Sequence, residues 1–123
     1  MATYVSLVRF TEQGAKNIRD TQRRASAFRD AAEQAGVTLR EVYWTLGAYD
    51  GLLVFDAPDE QTATAVMIDL GTLGNVRTQT MRAFDESEMG QVLGRTGSGA
   101  ASGSRGGSGG AGKATKSDGR GRR

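Results

Sequence analysis

The side chains best suited to chemistry lie in one segment, EVYWTLGAYDGLLVFD, which runs from Glu41 to Asp56. It contains the only Trp of the chain, Trp44, and two of the three Tyr, Tyr43 and Tyr49. Tyr49 precedes Asp50, so an acid and a phenolic hydrogen-bond donor are adjacent, a pair that suits proton transfer without a cofactor. The candidates for catalysis are Tyr43, Tyr49, Asp50 and Arg77.

The Tyr49-Asp50 pair also has a structural interpretation, which the sequence favours. Asp50 can cap the turn through the backbone amides of that turn, and Tyr49 can pack near the next strand with its hydroxyl bonded. The chain has no His. An enzyme built on this pair therefore needs a carboxyl group whose pKa is raised by burial, or a Tyr whose pKa is lowered.

Four residues are candidates for holding a ligand: Tyr43, Trp44, Arg77 and Arg82. Tyr43 and Trp44 are neighbours on a predicted strand and therefore point to opposite faces of the sheet, as do Arg77 and Arg82. With Arg9, the two arginines are basic residues of the predicted sheet. An Arg that faces a cavity can clamp a carboxylate or phosphate, and it can equally pair with an acid across an interface. A small acidic or aromatic ligand is one hypothesis, and core or interface packing is the other.

The composition argues against several classes of site. There is no Cys and no His, so thiol nucleophiles, disulfides and imidazole bases are excluded, and zinc and His-ligated haem sites are not expected. The acids between Asp50 and Glu60 do not have the spacing of a calcium loop, so we expect no metal and no cofactor. No signal-peptide pattern and no apolar run of roughly 20 residues is found. A cytoplasmic protein without membrane contact is expected.

The last 29 residues, Arg95 to Arg123, differ from the rest of the chain. They contain 10 of the 18 Gly and no Val, Ile, Leu, Met or aromatic residue, so no apolar surface offsets the cost of ordering them. They carry 7 Lys/Arg against 1 Asp/Glu, whereas residues 1–94 carry 9 against 13. We expect one folded, acidic domain over 1–94 and a disordered Gly/Ser-rich basic tail over 95–123, of a kind that contacts polyanions weakly.

The predicted elements follow the order strand, helix, strand, strand, helix, strand. The strands are Tyr4–Phe10, Leu39–Leu46, Gly51–Asp56 and Val76–Phe84, and the helices are Thr21–Gln34, with Thr21 as N-cap, a second that Asp59 caps, and a short one over Met89–Leu93. This order is the ferredoxin-like βαββαβ arrangement of the α+β class. It predicts a four-stranded antiparallel sheet with two helices on one face.

In that topology the first and third strands occupy the centre of the sheet. Both are apolar on both faces: Val5 and Leu7 alternate with Tyr4 and Val8, and the run Leu52–Phe55 is apolar throughout. Because two helices cover only one face, the second apolar face would be exposed in a monomer. The sequence therefore predicts a homodimer or higher homo-oligomer that packs sheet on sheet and buries about 1,600 Å² in a standard interface. A lidded ligand cleft is another way to cover part of this surface.

Three blocks of the sequence resemble, in order, those of the GYD domain family. The blocks are 11–20, similar to the first loop and short helix of the family, 43–50, with the signature residues Gly47, Tyr49 and Asp50, and 74–84, similar to its last strand. The resemblance covers roughly residues 3 to 93. It implies a dimeric α/β-barrel of ferredoxin-like units with no settled activity.

These observations support three hypotheses about function. The leading one is a non-catalytic, self-associating small domain that holds a small acidic or aromatic ligand between subunits. The second is a cofactor-independent isomerase, lyase or oxygenase, and the third is a weak nucleic-acid binder that acts through its basic tail. The sequence favours the first, because it depends only on the two-sided apolar character of the central strands.

Overall fold

The computed structural model describes residues 1–97. The chain divides into two units, Met1–Ala83 and a second that begins at Phe84. The first unit contains strands β1 (Ala2–Phe10), β2 (Thr38–Trp44), β3 (Gly51–Ala57) and β4 (Val76–Ala83), and helices α1 (Glu12–Lys16), α2 (Thr21–Gln34) and α3 (Glu60–Thr72). A 3-10 turn, Ile18–Asp20, follows α1, and the second unit contains helix α4 (Glu86–Gly94).

The described range ends three residues after the predicted domain boundary at residue 94. Arg95 is the C-terminal cap of α4. Residues 98–123, and with them most of the predicted basic tail, lie outside the described residues, so the disorder of this tail and its contact with polyanions stay predictions. Within residues 1–97, no helix is long and apolar enough to cross a membrane.

The four strands form one sheet in the order β2-β3-β1-β4. Every neighbouring pair is antiparallel. The central position of β1 and β3 is confirmed, and β2 and β4 are the edges. The α+β class and the four-stranded antiparallel sheet are also confirmed, and the order of strands is consistent with the ferredoxin-like arrangement.

Helices α2 and α3 pack on one face of this sheet and enclose the core. The core residues are Tyr4, Val8, Ala32, Val37, Leu39, Leu53, Phe55, Ala57, Ala63, Val66 and Met67. Phe55 is completely buried, and its ring stacks on that of Tyr4 with 5.4 Å between the centroids. The large rings therefore fill the core around one pair of central residues, which fixes the register of β1 against β3.

Helix α3 begins where the sequence predicts. Asp59 is the N-cap, and its Oδ1 accepts a hydrogen bond from the Thr62 amide at 2.7 Å. The same bond holds the pKa of the Asp59 carboxyl below its usual value. From this start, Ala63, Val66 and Met67 follow at the spacing of one helix face and reach the core.

A bulge in β2 at Arg40 decides which side chains of that strand face the core. Leu39 and Val42 both lie opposite buried residues of β3, although they are three positions apart. Strict alternation would place them on opposite faces, and the extra residue of the bulge restores them to the same one. Arg40 itself reaches Asp56, with 3.5 Å between Nη1 and Oδ1.

Two local predictions are wrong. Thr21 is the first residue of α2 and not its N-cap; the cap position is Asp20, whose side chain makes no capping hydrogen bond. The Thr21 hydroxyl instead accepts a hydrogen bond from the Trp44 indole at 3.0 Å, so a tertiary contact replaces the local one. Strand β2 ends at Trp44, and Leu46 lies in the following turn with its side chain fully exposed.

Candidate functional site

The face of the sheet opposite α2 and α3 is named here the helix-free face. It comprises Val5, Leu7, Leu52 and Val54 in the centre, with Tyr43 and Met81 towards the edges. The four central side chains are only partly buried, and Tyr43 and Met81 are 52% and 42% exposed. A continuous apolar surface of this kind is typical of an interaction site.

One end of the helix-free face carries two arginines, Arg9 and Arg77, named here the cationic pair. They lie directly opposite each other in the β1–β4 register, where like charges destabilise a sheet. The Arg9 guanidinium lies over the Tyr49 ring, with 4.8 Å from Cζ to the centroid, and the Tyr49 hydroxyl donates to Gln79 Oε1 at 2.9 Å. These residues line an open groove of about 220 Å³. Among residues 1–97, neither arginine has a carboxylate partner.

The β2 side of the same face carries its acids. Glu41 accepts a hydrogen bond from the Tyr43 hydroxyl at 3.1 Å. Asp56 accepts one from Thr3 Oγ1 at 2.7 Å and is also paired with Arg40. The helix-free face is therefore polarised, with the cationic pair towards β4 and the acids towards β2.

The Glu41 carboxylate changes the acidity of Tyr43. By hydrogen bonding to the phenol, and by its negative charge, it raises the pKa of Tyr43 above the usual value of 10.0. A Tyr that serves as a base or proton donor near neutral pH needs a lowered pKa. Tyr43 therefore departs from what a catalytic Tyr requires.

This contact gives a first testable prediction. Ionisation of Tyr43, followed by ultraviolet difference spectroscopy with Tyr43→Phe as the reference, should occur at higher pH than that of a free phenol. Glu41→Gln should bring it back towards the usual value. Because the folded-state pKa lies above the unfolded one, the contact stabilises the fold below about pH 10, and this contribution is lost as the pH rises through the folded-state value. An unchanged titration in Glu41→Gln would contradict the assignment.

Asp50 fastens the hairpin to β1. Its amide donates to the Val8 carbonyl at 2.8 Å, and its Oδ2 accepts the Phe10 amide, also at 2.8 Å. The last residue pair of the β1–β3 ladder is Val8 with Gly51. The Asp50 carboxylate therefore satisfies a backbone donor that lies just beyond the reach of β3.

Thr45, and not Asp50, closes the turn between β2 and β3. Its Oγ1 donates to the Tyr49 carbonyl at 2.6 Å, and its amide donates to the Asp50 carbonyl at 3.0 Å. Gly47 lies in this turn with a φ of +112°, a conformation that favours Gly. The prediction that Asp50 caps its own turn is therefore wrong, since its carboxylate is bonded to β1.

The Asp50 contact gives a second prediction. Asp50→Ala should lower the free energy of unfolding by about 1–2 kcal/mol, because the partly buried Phe10 amide loses its acceptor. Asp50→Asn keeps an acceptor oxygen in the same place and should stay within about 0.5 kcal/mol of the original protein. Urea unfolding followed by circular dichroism measures both. Equal losses in the two variants would mean that the charge, and not the hydrogen bond, is what matters.

Trp44 lies on the helix-covered face, near one end of the core. Its indole Nε1 donates to Thr21 Oγ1, so β2 is joined to the first turn of α2. Trp44 and Asp50 also border a cavity of about 90 Å³ between the sheet and the helices α2 and α3. The predicted opposite orientation of Tyr43 and Trp44 is therefore what the structure shows.

Arg82 lies on the helix-covered face, in a third location. Its guanidinium carbon is 5.8 Å from the centroid of the Tyr4 ring, and its Nη1 donates to the backbone carbonyls of Thr3, at 3.2 Å, and Ala83. The Tyr4 hydroxyl is buried and has no hydrogen-bond partner among the described residues. Arg82 therefore contacts a core ring and the backbone of its own sheet.

The catalytic candidates do not converge on one point. Tyr49 and Arg77 share the groove at the end of the helix-free face, and Tyr43 lies one row further along that face. Asp50 borders the cavity on the opposite face. Within residues 1–97, no group of three or more acidic side chains is placed to hold a metal ion.

The ligand candidates are divided as well. Tyr43 and Arg77 face the helix-free side, and Trp44 and Arg82 face the helices. Three residues that were not candidates take part in these sites: Arg9, Gln79 and Thr21. Arg9 and Gln79 could have been found by aligning β1 with β4 once both strands were predicted. The position of Thr21 beside Trp44 depends on how α2 crosses the sheet, which no local pattern indicates.

The strand order, the polarised helix-free face and the turn before β3 define a small α+β domain of ferredoxin-like type with an exposed apolar sheet. The chain belongs to the GYD domain family, whose model matches residues 4–93. The resemblance that the three sequence blocks indicate is thereby confirmed.

Two proteins from Thermus thermophilus are similar to this chain. The glutamine synthetase and cystathionine beta-lyase binding protein is 28% identical over 90 residues, which cover 72% of this chain and 95% of the relative. The crystal structure of TTHA0845 has 25% sequence identity and a TM-score of 0.47, and the match covers 69% of this chain and 95% of the other.

Proposed function

We propose that this protein is a non-catalytic binding domain that self-associates through its helix-free face, in the manner of a dimeric α/β-barrel. The observation that carries the proposal is the apolar centre of that face, where Val5 lies opposite Val54 and Leu7 opposite Leu52. Burying such side chains contributes about 25 cal/mol for each Å² removed from water. A second copy of the same face is the occupant that the apolar pattern fits.

The charges of the face favour the same arrangement. A twofold axis that runs parallel to the strands, midway between two sheets, lays the β4 edge of one copy over the β2 edge of the other. The cationic pair of each copy is then directed towards the side that carries Glu41 in its partner. Opposite charges on opposite edges favour this orientation over the one in which like edges meet.

Sedimentation velocity of the full chain tests the proposal. A species of about twice the chain mass of 13.0 kDa should predominate at micromolar concentration. Added salt should weaken the association only modestly, because apolar burial is not screened whereas the exposed charges are. A single monomeric species over the same concentrations would refute self-association.

A second candidate function is the binding of a small organic acid at the edge between two copies. It is favoured by the cationic pair, which has no carboxylate partner among residues 1–97 and faces a groove with the Tyr49 hydroxyl at its side. Two guanidinium groups can share one carboxylate through charge-assisted hydrogen bonds. Succinate is a suitable probe for calorimetric titration, and Arg77→Gln should abolish its binding. Succinate binding that persists in Arg77→Gln would exclude this groove.

A protein partner is the third element of the proposal. The similar protein from Thermus is named for binding two enzymes, glutamine synthetase and cystathionine beta-lyase. That name favours binding over catalysis for this chain too, as does the raised pKa of Tyr43. Co-sedimentation of the full chain with purified glutamine synthetase and cystathionine beta-lyase from its own source would test the transfer directly. The enzymatic hypothesis and the polyanion contact of the tail stay predictions from the sequence.

A further inference from the structure

A cavity of about 90 Å³ lies inside a single copy of the chain, on the helix-covered face. Its walls are largely apolar and include Phe28, Leu53 and Leu70. A void of this size is several times larger than the volume of about 10–15 Å³ that one water needs. It is comparable with the apolar cavities that accept a small aromatic ring, which are on the order of 150 Å³.

Two small residues explain why this part of the core is not filled. Gly51 of β3 lies on the helix-covered face between Trp44 and Val8, and it lacks a side chain where its neighbours on β3, two residues on, are large. Ala25 of α2 lines the same cavity from the helix side. At the other end of the core, by contrast, the stacked rings of Tyr4 and Phe55 leave no comparable gap among the cavities of the described chain. The cavity is thus a consequence of residue size at two facing positions.

The polar groups at the border of the cavity are few and are unequally satisfied. Asp50 Oδ2 accepts the Phe10 amide, whereas Asp50 Oδ1 accepts no hydrogen bond from residues 1–97. The Thr21 oxygen already accepts from the Trp44 indole. Arg24 also lines the cavity, but its Nη1 donates to the Asn17 carbonyl at 2.7 Å. The acceptor that remains open is a carboxylate oxygen.

We propose that this cavity binds one small, neutral, ring-shaped molecule that carries a hydrogen-bond donor, with the phenols as the simplest members of the class. The ring lies in the space left by Gly51 and Ala25, and its hydroxyl donates to Asp50 Oδ1. A hydrogen bond to a charged acceptor is stronger than one between neutral groups. The carboxylate also disfavours anionic ring compounds, so benzoate should bind less well than phenol.

This site is independent of the proposed self-association. The cavity lies on the helix-covered face and is lined by residues of one copy, whereas the second copy is placed against the helix-free face. Binding is therefore expected in the dimer and in a monomeric variant alike. Loss of dimerisation alone would leave this inference standing, and loss of binding alone would leave the dimer standing.

The experiment follows the backbone and indole amide signals of the full-length, ¹⁵N-labelled protein during titration with p-cresol, toluene and benzoate. The chain has one Trp, so the indole cross-peak reports on Trp44 without ambiguity. With p-cresol we expect saturable shifts centred on Trp44, Gly51 and Ala25, with a dissociation constant about fivefold to tenfold lower than that of toluene. Benzoate should cause no saturable shifts at these residues.

Three variants complete the test. Ala25→Leu should abolish p-cresol binding by filling the cavity, whereas Ala27→Leu, at an exposed position of the same helix, should leave it unchanged. If Ala25→Leu fails to give a dispersed spectrum, Ala25→Val serves in its place. Asp50→Asn, which retains an acceptor for Phe10, should raise the p-cresol dissociation constant to that of toluene. The proposal is overturned by equal affinity for p-cresol and toluene in the original protein, by tighter binding of benzoate, or by p-cresol binding that survives in the Ala25 variants.

Discussion

Replacing Val54 with Lys is expected to convert the self-associated protein into a monomer that keeps its fold. Val54 lies on the helix-free face, opposite Val5, and it is only partly buried in a single copy. In that copy an introduced ammonium group can reach solvent and lies across from Glu41, its neighbour on β2. The monomer should therefore tolerate the substitution, as a matched circular dichroism spectrum would show.

The expected effect on self-association is large. Taking an ammonium group out of water costs several kcal/mol when no well-placed partner compensates for it. A twofold interface contains every residue twice, so the cost is incurred by both copies. We therefore expect the dissociation constant, measured by sedimentation equilibrium of the full chain, to rise by a factor of about 10³ or more.

Ile68→Lys is the matched control. Ile68 lies on α3 with 59% of its surface exposed, so this change also replaces an exposed apolar residue with Lys but leaves the helix-free face intact. Its dissociation constant should equal that of the original protein. If Ile68→Lys dissociates the protein and Val54→Lys does not, the copies associate through their helices, and the proposed interface is wrong.

Replacing Gly14 with Ala is expected to destabilise the fold by about 3 kcal/mol or more, since a backbone clash exceeds the usual cost of overpacking. Gly14 is buried in α1, and a Cβ added there would lie 2.0 Å from the carbonyl oxygen of Asn75. That oxygen accepts the Thr11 amide at 3.0 Å, and Thr11 Oγ1 donates to the Gly74 carbonyl at 2.6 Å. The clash would thus also disrupt the hydrogen bonds that join α1 to the start of β4.

Gly71→Ala is the control for this prediction. Gly71 lies in α3, and a Cβ added there meets no atom within 4 Å. The substitution should leave the free energy of unfolding unchanged or raise it by up to about 1 kcal/mol, because Ala is a better helix former than Gly. Both variants are best measured by urea unfolding in the Val54→Lys background, where self-association does not contribute to the apparent stability. An unchanged midpoint for Gly14→Ala would mean that α1 does not pack against Asn75 in solution.

The course of the chain is largely readable from its sequence, because local signals decide it. Alternation and two-sided apolar character identify the strands, and Asp59 fixes the start of α3 through its own amide contacts. The misplaced elements are those in which a distant group replaces a local one. Thr21 has the sequence of a cap but bonds to Trp44, and the bulge at Arg40 shifts the faces of β2.

The site residues are less readable, because their roles depend on pairs that are distant in sequence. The blocks that resemble the GYD family at 11–20 and 74–84 meet in space, where Gln13 Nε2 donates to Asn75 Oδ1 at 2.9 Å, and the Gly14 backbone packs against Asn75. Their matching residues therefore support the fold. Asp50, a residue of the signature, likewise holds a backbone amide of β1. No single segment indicates these pairings.

By itself, the sequence determined the order of elements, the central position of β1 and β3 and the existence of a second apolar sheet face, since these follow from periodicity and from the limited area that two helices can cover. Only the tertiary structure decided that Arg9 and Arg77 stand side by side, that Trp44 and Asp50 border a cavity inside one copy, and that Tyr43 is bonded to Glu41. The physical reason is range. Periodicity acts between residues a few positions apart, whereas charge, cavity volume and pKa depend on neighbours that only strand register and helix packing bring together.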